Sequence, residues 1–261
     1  MTQFVALTRG VSPAFAQCEL THLERVPIDF ARAAEQHAAY ERALEDLGCN
    51  VDRIAGAPDL PDCVFVEDAA IVLDEVAILM RPGAESRRAE VSDVAEALRP
   101  HRPMLVLEAP ATMDGGDVMV VGRSVFVGAS TRSNLAGIDQ LRQMVAPLGY
   151  ALHPVSVSEC LHLKSAVTAL DDRTLLINAS WVRPEQFRGF EFVEVDASEP
   201  AAANIVRIGG HLLYSASFPR TLRKLQDGGY LVTAVDVSEI AKAEGAVTCC
   251  SLIFKTIHPG D

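Results

Sequence analysis

Two adjacent thiols near the end of the chain, Cys249 and Cys250, open an apolar run that continues to Phe254. Its residue types predict a strand that docks into the fold. Neighbouring strand residues point to opposite faces, so one sulfur is expected to face a cavity while the other packs in the core. A thiolate becomes a useful nucleophile when a histidine and a carboxylate lie beside it. Without such partners, both cysteines would be small buried hydrophobes.

Candidate partners for this thiol occur earlier in the chain. His162 lies between two leucines at the start of a predicted strand, and Asp114 opens the sequence Asp114-Gly115-Gly116-Asp117. Two glycines between two acids give little steric cover, so these carboxylates can approach a partner closely. Such a set would supply a nucleophile, a general acid and base, and a carboxylate partner. The alternatives are a histidine satisfied within the core and a simple turn.

A second set of charged residues suits a cationic ligand. Asp62 precedes Glu67 and Asp68, which lie inside an apolar run where unpaired carboxylates are costly. A structural arginine would offset them, and so would a guanidinium substrate, whose planar fork matches carboxylates. Arg87 and Arg132 lie in glycine-containing loops, where they either hold a substrate carboxylate or are solvated. Together these residues predict a pocket for an amino acid with a cationic tail. A thiolate beside that tail would attack the guanidino carbon, and the bound cation would lower the thiol pKa.

A recurring unit of strand, short turn, strand, loop and helix positions these residues. The residues of matching phase, which occupy the same position in each copy of the unit, are Asp68, Asp117, His162, Asn204 and Cys249, at intervals of 49, 45, 42 and 45 residues. A near-constant period is the signature of a repeat architecture. Copies around an axis would bring the polar strand starts together, and the last strand would close the ring with the first. The alternative is a plain α/β domain whose hairpins look alike by chance.

The remaining elements complete this unit. A first strand is predicted over 4–9, a loop or lid over 10–27, a helix over 29–47 that Gly48 ends, and a strand near 51–54. Further helices are predicted near 88–98, 133–148, 184–188 and 219–227.

Composition narrows the class of protein. The 261 residues carry a net charge of −12, which argues against nucleic acid as a partner and fits a cationic small molecule. No apolar run approaches the ~20 residues of a membrane span, and the first residues lack the pattern of a secretory signal. The six cysteines show neither a disulfide framework nor a metal knuckle. We therefore expect reduced thiols, a cytoplasmic location and no membrane partner.

Several segments, taken in order, resemble the dimethylarginine dimethylaminohydrolase family. They are PDCVFVEDAAIVL, RPGAESRR, DGGDVMVVGRSVFVGASTRSN, LHLKSAVTAL, AAANIVRI and VTCCSLIF. The resemblance runs from about residue 4 to residue 257. The wider pentein superfamily implies a five-bladed, pseudo-fivefold α/β propeller of ββαβ modules, here a single catalytic domain over 1–261.

The resemblance also implies roles for individual residues. Cys249 is similar to the nucleophile, His162 to the general acid and base, and Asp114 to the carboxylate that completes the triad. The implied substrate-binding residues are Leu20, Asp62, Glu67, Asp68, Arg87, Arg132 and Ala243. Among them, the acids would surround the methylated guanidinium, the arginines would hold the substrate carboxylate, and Leu20 and Ala243 would lie near its amino end. The sequence departs from the family where Ala243 replaces a branched residue and Glu244-Gly245 replaces Asp-Gly or Gly-Gly.

The implied reaction is hydrolysis of Nω,Nω-dimethylarginine or Nω-methylarginine to citrulline and dimethylamine or methylamine. It would pass through an S-alkylthiouronium intermediate on Cys249, with a small-molecule substrate and no cofactor or metal. Zn²⁺ binding to the thiol and histidine would be incidental or inhibitory. The alternatives are a related hydrolase or deiminase of arginine, agmatine, citrulline or another guanidino or ureido compound, a non-catalytic guanidino binder, and a metal-dependent hydrolase. The sequence leaves a homodimer open.

Overall fold

The protein is described by a computed structural model over residues 3–256, so the ends of the predicted 1–261 domain lie outside the described residues. Its strands are β1 (Phe4–Arg9), β2 (Cys49–Ile54), β3 (Ala70–Val72), β4 (Ala77–Leu79), β5 (Met104–Val106), β6 (Val118–Val121), β7 (Ser124–Ala129), β8 (Ala151–Ser156), β9 (Val167–Ala169), β10 (Thr174–Ile177), β11 (Glu191–Glu194), β12 (Ile205–Ile208), β13 (His211–Ser215), β14 (Leu231–Val235) and β15 (Ser251–Lys255). Its α-helices are α1 (Phe30–Asp46), α2 (Val91–Leu98), α3 (Leu135–Val145), α4 (Leu163–Ala166), α5 (Pro219–Asp227) and α6 (Ser238–Ala241). Short 3₁₀ turns cover Phe15–Gln17, Val66–Ala69, Glu85–Glu90, Gly115–Asp117, Ala146–Leu148, Pro184–Gln186 and Thr248–Cys250.

The strands form five sheets of three strands each. In every sheet the middle strand is antiparallel to one neighbour and parallel to the other. The five sheets are β3-β4-β5, β6-β7-β8, β9-β10-β11, β12-β13-β14 and β15-β1-β2. Each sheet therefore contains a hairpin, as the recurring sequence unit predicts, followed by a parallel strand, as the ββαβ module of the family resemblance implies.

The first strand of each hairpin lies at a common axis. Residues of β3, β6, β9, β12 and β15 line one cavity of about 230 Å³, called here the axial cavity. The helices α1, α2, α3 and α5 each connect the second strand of a hairpin to the third strand of the same sheet. The predicted five-bladed α/β propeller is thus confirmed, and the alternative of a plain α/β domain is excluded.

The ring closes where the two ends of the described chain meet. β1 pairs antiparallel with β15, from Phe4 opposite Lys255 to Thr8 opposite Ser251. The same strand pairs parallel with β2, and α1 connects β1 to β2. The fifth sheet therefore needs strands from both ends of the sequence, as expected.

Helix α1 follows the predicted signals closely. The Asp29 side chain accepts a hydrogen bond from the Arg32 N–H at 3.1 Å and caps the helix. The helix ends before Gly48, whose φ of +91° is a conformation that glycine adopts without strain. Tyr40 and Leu44 lie fully buried on the inner face of α1, within a cluster that includes residues of β12 and β13. The segment 10–27 forms a loop with one 3₁₀ turn, also as predicted.

The polar residues of matching phase do not lie on strands, which corrects the prediction. Asp68, Asp117 and Cys249 lie in 3₁₀ turns, His162 precedes the short helix α4, and Asn204 directly precedes β12. A strand would send alternate residues to only two faces, whereas a turn with about three residues per turn spreads consecutive side chains in different directions. Short turns therefore allow adjacent polar residues to reach different partners at the axis.

The same correction applies to the two adjacent thiols. The predicted strand begins only at Ser251, and Cys249 and Cys250 lie in the preceding turn. Cys249 is half-buried and borders a cavity, whereas Cys250 is fully buried in the core. The expected division between one cavity-facing sulfur and one packed sulfur holds, although a helical turn produces it.

Close contact between two turns at the axis makes a specific prediction at Gly115. A Cβ added there would lie 2.0 Å from the Glu67 carbonyl oxygen and 2.9 Å from that of Ala70. Because backbone cannot move aside as a flexible side chain does, we expect Gly115→Ala to lower the free energy of unfolding by about 3 kcal/mol or more. Urea unfolding followed by circular dichroism measures this change.

Gly210→Ala is the matched control, because a Cβ there meets nothing within 4 Å. Its free energy of unfolding should stay within about 0.5 kcal/mol of the wild type. Equal stabilities for the two variants would contradict the packing described around Gly115.

Candidate active site

A small cavity of about 20 Å³ lies beside the axis, among the turns that precede the axial strands. It is lined by Glu19, Asp62, Phe65, Asp68, Arg87, Arg132, Leu161, His162, Ala243, Glu244, Gly245 and Cys249. The cavity therefore brings together residues from across the chain, including the candidate nucleophile and the candidate general acid and base. In the described state it has room for about one water molecule.

His162 is held by a carboxylate from a neighbouring module. Its Nε2 lies 3.0 Å from Oδ2 of Asp114, and the Asp114 side chain is fully buried. The other Asp114 oxygen, Oδ1, accepts a hydrogen bond from the Gly83 N–H at 2.8 Å. Asp114 is thus fixed on both sides and orients the imidazole, which leaves Nδ1 for other chemistry.

The two glycines after Asp114 allow this close approach. A Cβ on Gly116 would lie 2.6 Å from the imidazole Nδ1 and 2.8 Å from Oδ1 of Asp68. The Gly116 N–H donates to the same Asp68 oxygen at 3.0 Å. Glycine is therefore required at 116 because the imidazole and a carboxylate pack directly on its backbone.

Asp117 positions the backbone next to the histidine. Its Oδ1 accepts a hydrogen bond from the Leu163 N–H at 2.9 Å, and its Oδ2 accepts from the hydroxyls of Ser130 and Ser133. The carboxylate is fully buried, so these hydrogen bonds replace its water shell. The sequence marked Asp117 by its corresponding position in the recurring unit, but it did not indicate that Asp117 holds the backbone beside His162.

Asp68 and Arg87 form a buried ion pair beside the imidazole. Arg87 Nη1 lies 2.6 Å from Asp68 Oδ2, and Arg87 Nη2 lies 2.9 Å from Glu90 Oε2. Asp68 Oδ1 lies 3.9 Å from His162 Nδ1, which is too long for a hydrogen bond but close enough for a strong charge interaction. Burial would raise the pKa of Asp68, but His162 and Arg87 lower it to about 2. Asp68 is therefore anionic, and Arg87 offsets its charge.

The acids around His162 favour its charged form. Burial alone would lower the pKa of His162, but the charge of Asp68, the hydrogen bond to Asp114 and the charge of Asp117 raise it from 6.5 to about 9. The imidazole is therefore protonated near neutral pH and can donate a proton.

The surroundings of Cys249 favour the uncharged form of its thiol. Burial raises the pKa of its thiol well above the ordinary value, and the charges of Glu67 and Asp68 raise it further. The Ala246 N–H, 3.4 Å from Sγ, acts in the other direction. The resting site therefore contains a neutral thiol near an imidazolium, and a bound cation would favour the thiolate.

Glu67 does not line the small cavity, and its expected contact with the substrate stays a prediction. Its Oε1 lies 2.6 Å from Lys164 Nζ, and its Oε2 accepts a hydrogen bond from the Thr248 hydroxyl at 2.7 Å. All three residues line the axial cavity instead. The 3₁₀ turn that turns Asp68 toward the imidazole turns its neighbour Glu67 toward the axis.

The other expected substrate-binding residues divide similarly. Asp62, Arg132 and Ala243 line the small cavity together with Asp68 and Arg87. Leu20 does not line it, because this half-buried side chain packs against an adjacent apolar cluster. Glu19 lines it instead, so the same loop still contributes to the wall.

Two further lining residues, Phe65 and Leu161, were missed because their positions depend on tertiary structure. Glu244 and Gly245, which the sequence comparison singled out as a departure from the family, also line the cavity. Phe65 and Leu161 look like core residues in apolar runs. Glu244 has a left-handed backbone, with φ of +59°, which its residue type does not predict.

Asp68, Asp114 and His162 offer oxygen and nitrogen atoms within 4.8 Å of one another. Arg87, Gly83 and Gly116 already donate hydrogen bonds to these two carboxylates, which explains the cluster without a metal ion. The expectation that the reaction needs no metal or cofactor stays a prediction. In the described part of the chain, no helix has the length and apolar character to cross a membrane.

Comparison with known proteins gives consistent relationships over most of the chain. The family model of eukaryotic N,N dimethylarginine dimethylhydrolase matches residues 21–180. An N(G),N(G)-dimethylarginine dimethylaminohydrolase of Streptomyces coelicolor is 42% identical over 97% of this chain and 98% of its own length. A protein of the same name from Pseudomonas aeruginosa is 38% identical over 87% of this chain and 90% of its own length.

A solved structure agrees with the sequence relationship. A cysteine-to-serine mutant of the Pseudomonas aeruginosa enzyme, complexed with citrulline, superposes with a TM-score of 0.91. It is 33% identical, and the match covers 97% of this chain and 100% of that structure.

The raised pKa of His162 predicts a pH dependence of stability. Since the folded-state pKa of about 9 exceeds the ordinary 6.5, protonation stabilises the fold fully below pH 6.5. This stabilisation, up to about 3 kcal/mol, should be lost as the pH rises through about 9. Unfolding free energies measured across that range test it.

His162→Gln is the comparison, because it keeps every other titrating group. The free energy of wild type minus that of the variant should fall between pH 6.5 and pH 9. A difference that stays constant over this range would show that the surrounding acids do not stabilise the imidazolium.

Proposed function

This chain belongs to the dimethylarginine dimethylaminohydrolase family, and we propose that it hydrolyses Nω,Nω-dimethylarginine to citrulline and dimethylamine. Nω-methylarginine would likewise give citrulline and methylamine. The observation that carries this proposal is that Cys249 and the Asp114-held His162 border one acid-lined cavity. The Pseudomonas aeruginosa structure, which superposes with a TM-score of 0.91, is complexed with citrulline, the product proposed here.

The charges around the cavity suit a methylated arginine. The carboxylates of Asp62 and Asp68 provide negative charge for the guanidinium, and Arg87 and Arg132 provide positive charge for the substrate carboxylate. Arg87 does so while paired with Asp68 and Glu90, whereas Arg132 makes fewer close ion pairs. Ala243 borders the cavity and would contribute backbone atoms near the substrate amino group.

The first half-reaction begins when the substrate cation enters beside Cys249. Its positive charge offsets the acids that raise the thiol pKa, so the thiol releases its proton to solvent water and a thiolate forms. The thiolate attacks the guanidino carbon. His162, protonated near neutral pH, donates a proton to the departing dimethylamine nitrogen. An S-alkylthiouronium on Cys249 remains, and the imidazole is now neutral.

The second half-reaction uses the same imidazole as a base. Neutral His162 takes a proton from water, which attacks the thiouronium carbon. The carbon–sulfur bond then breaks, which releases citrulline and frees the cysteine. Asp114 holds the imidazole in one orientation through both steps.

Three features proposed from sequence remain predictions about the whole protein. They are a single domain over 1–261, a cytoplasmic location and the option of a homodimer. The small-molecule substrate has more support, since the related structures contain arginine-like ligands, namely citrulline in one and S-methyl-L-thiocitrulline in another.

The decisive activity test uses both cysteines. Purified wild-type protein should release citrulline and dimethylamine from asymmetric dimethylarginine, and Cys249→Ser should fall to background because serine is a much weaker nucleophile here. Cys250→Ser should retain most of the activity, since its sulfur is buried in the core. Citrulline is measured colorimetrically, and dimethylamine is measured by chromatography.

No citrulline from wild-type protein would overturn the proposed function. Ammonia from unmethylated arginine or agmatine as the main product would favour a related deiminase instead. Equal losses of activity in both cysteine variants would contradict the assignment of Cys249 as the nucleophile.

The two arginines should differ in what they stabilise. Arg87→Met leaves the buried Asp68 and Glu90 without their partner, so it should lower the free energy of unfolding by about 3–5 kcal/mol and also raise KM. Arg132→Met should raise the KM for dimethylarginine about tenfold or more with little loss of stability.

Unfolding curves and steady-state kinetics of the two variants provide the comparison. A large loss of stability in Arg132→Met, or none in Arg87→Met, would contradict the charge pairing described.

A further inference from the structure

A short, mostly exposed segment, residues 19–23, borders the small cavity and is called here the cover segment. Its Glu19 lines the cavity, and His22 and Leu23 line a larger adjoining cavity of about 560 Å³. Glu244 borders both cavities. The cover segment and Glu244 therefore lie together at the boundary between the small cavity and the adjoining one.

One carboxylate holds three consecutive backbone N–H groups of this segment. Oε1 of Glu244 accepts hydrogen bonds from Thr21 at 3.0 Å, His22 at 2.5 Å and Leu23 at 2.6 Å, and Oε2 also lies 3.0 Å from the Thr21 nitrogen. Successive N–H groups that converge in a turn form a favourable site for an anion. Hydrogen bonds to an ionised acceptor are stronger than neutral ones, so this contact is the main attachment of the segment's centre.

The same segment is bonded to two side chains that the proposed function uses. The Glu19 N–H lies 3.1 and 3.3 Å from the two carboxylate oxygens of Asp62. Arg132 Nη2 donates to the Thr21 hydroxyl at 3.0 Å. The position of the cover segment therefore sets the position of one guanidinium-binding acid and one carboxylate-binding arginine.

The backbone of Glu244 indicates what its side chain adds. Its φ of +59° is a conformation that glycine adopts more easily than glutamate does. A glycine at 244 would therefore remove strain and leave the chain path intact. What glutamate provides is the carboxylate in contact with the cover segment.

We propose that Glu244 is a positioning residue that holds the cover segment closed over the cavity and so keeps Asp62 and Arg132 in place for the substrate. The small cavity has room for about one water, so it must widen before an amino acid binds, and movement of the cover segment would widen it. This inference rests on the proposed function for its effect on KM. Its effect on the segment is independent of any substrate.

Glu244→Gly is the main test variant, because the left-handed backbone favours glycine and the fold should not be weakened. Amide hydrogen exchange of the substrate-free protein should accelerate on the order of tenfold at Thr21, His22 and Leu23. Alkylation of Cys249 by iodoacetamide should accelerate as well, since the cover opens more often. The KM for dimethylarginine should rise by a similar factor, with kcat changed much less.

Two further variants separate this role from a general loss of charge. Glu244→Gln keeps one acceptor oxygen and should give intermediate exchange and KM. Glu24→Ala removes an exposed acid just beyond the segment that makes no hydrogen bond or ion pair among the described residues, so both values should match the wild type.

Unchanged exchange at 21–23 in Glu244→Gly, or an equal acceleration in Glu24→Ala, would overturn the proposal. An unchanged KM would overturn the positioning of Asp62 and Arg132. Faster exchange and alkylation in a protein that yields no citrulline would support the closure by Glu244 and count against the proposed function alone.

Discussion

The structure depends on pairing buried carboxylates between modules around one axis. Glu67 of the first module is bound to Lys164 of the third and Thr248 of the fifth, at 2.6 and 2.7 Å. Asn204 of the fourth module donates to the Thr248 hydroxyl at 3.0 Å and to the Lys164 carbonyl at 2.9 Å. An unpaired carboxylate at this depth would be costly, so each module is fixed by the charge or polar group of another.

The candidate site also depends on carboxylates paired between modules, beginning with the residue that follows Glu67 in its 3₁₀ turn. Asp68 follows Glu67 and faces the imidazole and Arg87 rather than the axis. Asp114 and Asp117 of the second module hold His162 of the third, and the turn of the fifth module carries Cys249. The acidic surrounding keeps the imidazole protonated, and burial together with the same acids keeps the thiol neutral. Both states suit a cationic substrate whose leaving group needs a proton.

Much of this could be predicted from the sequence, for identifiable reasons. The period of 42–49 residues gave the five modules, and Asp29 and Gly48 gave the ends of α1. The predicted strands were too long, because short-range residue patterns do not distinguish a 3₁₀ turn from the strand that follows it. The direction of the Glu67 side chain could not be predicted either, since only the turn sends adjacent acids to different sides. The sequence singled out Glu244, but not its contact with residues 21–23, because that contact depends on a left-handed backbone and on a loop 221–223 positions earlier in the chain.

The proposed reaction requires that one of two adjacent sulfur atoms becomes covalently bonded to the substrate carbon. Rapid acid quench of wild-type protein during turnover of asymmetric dimethylarginine, followed by protease digestion and fragmentation mass spectrometry, locates that bond. We expect a thiouronium adduct on Cys249 and an unmodified Cys250. An adduct on Cys250, or full turnover with both thiols unmodified at every quench time, would contradict it.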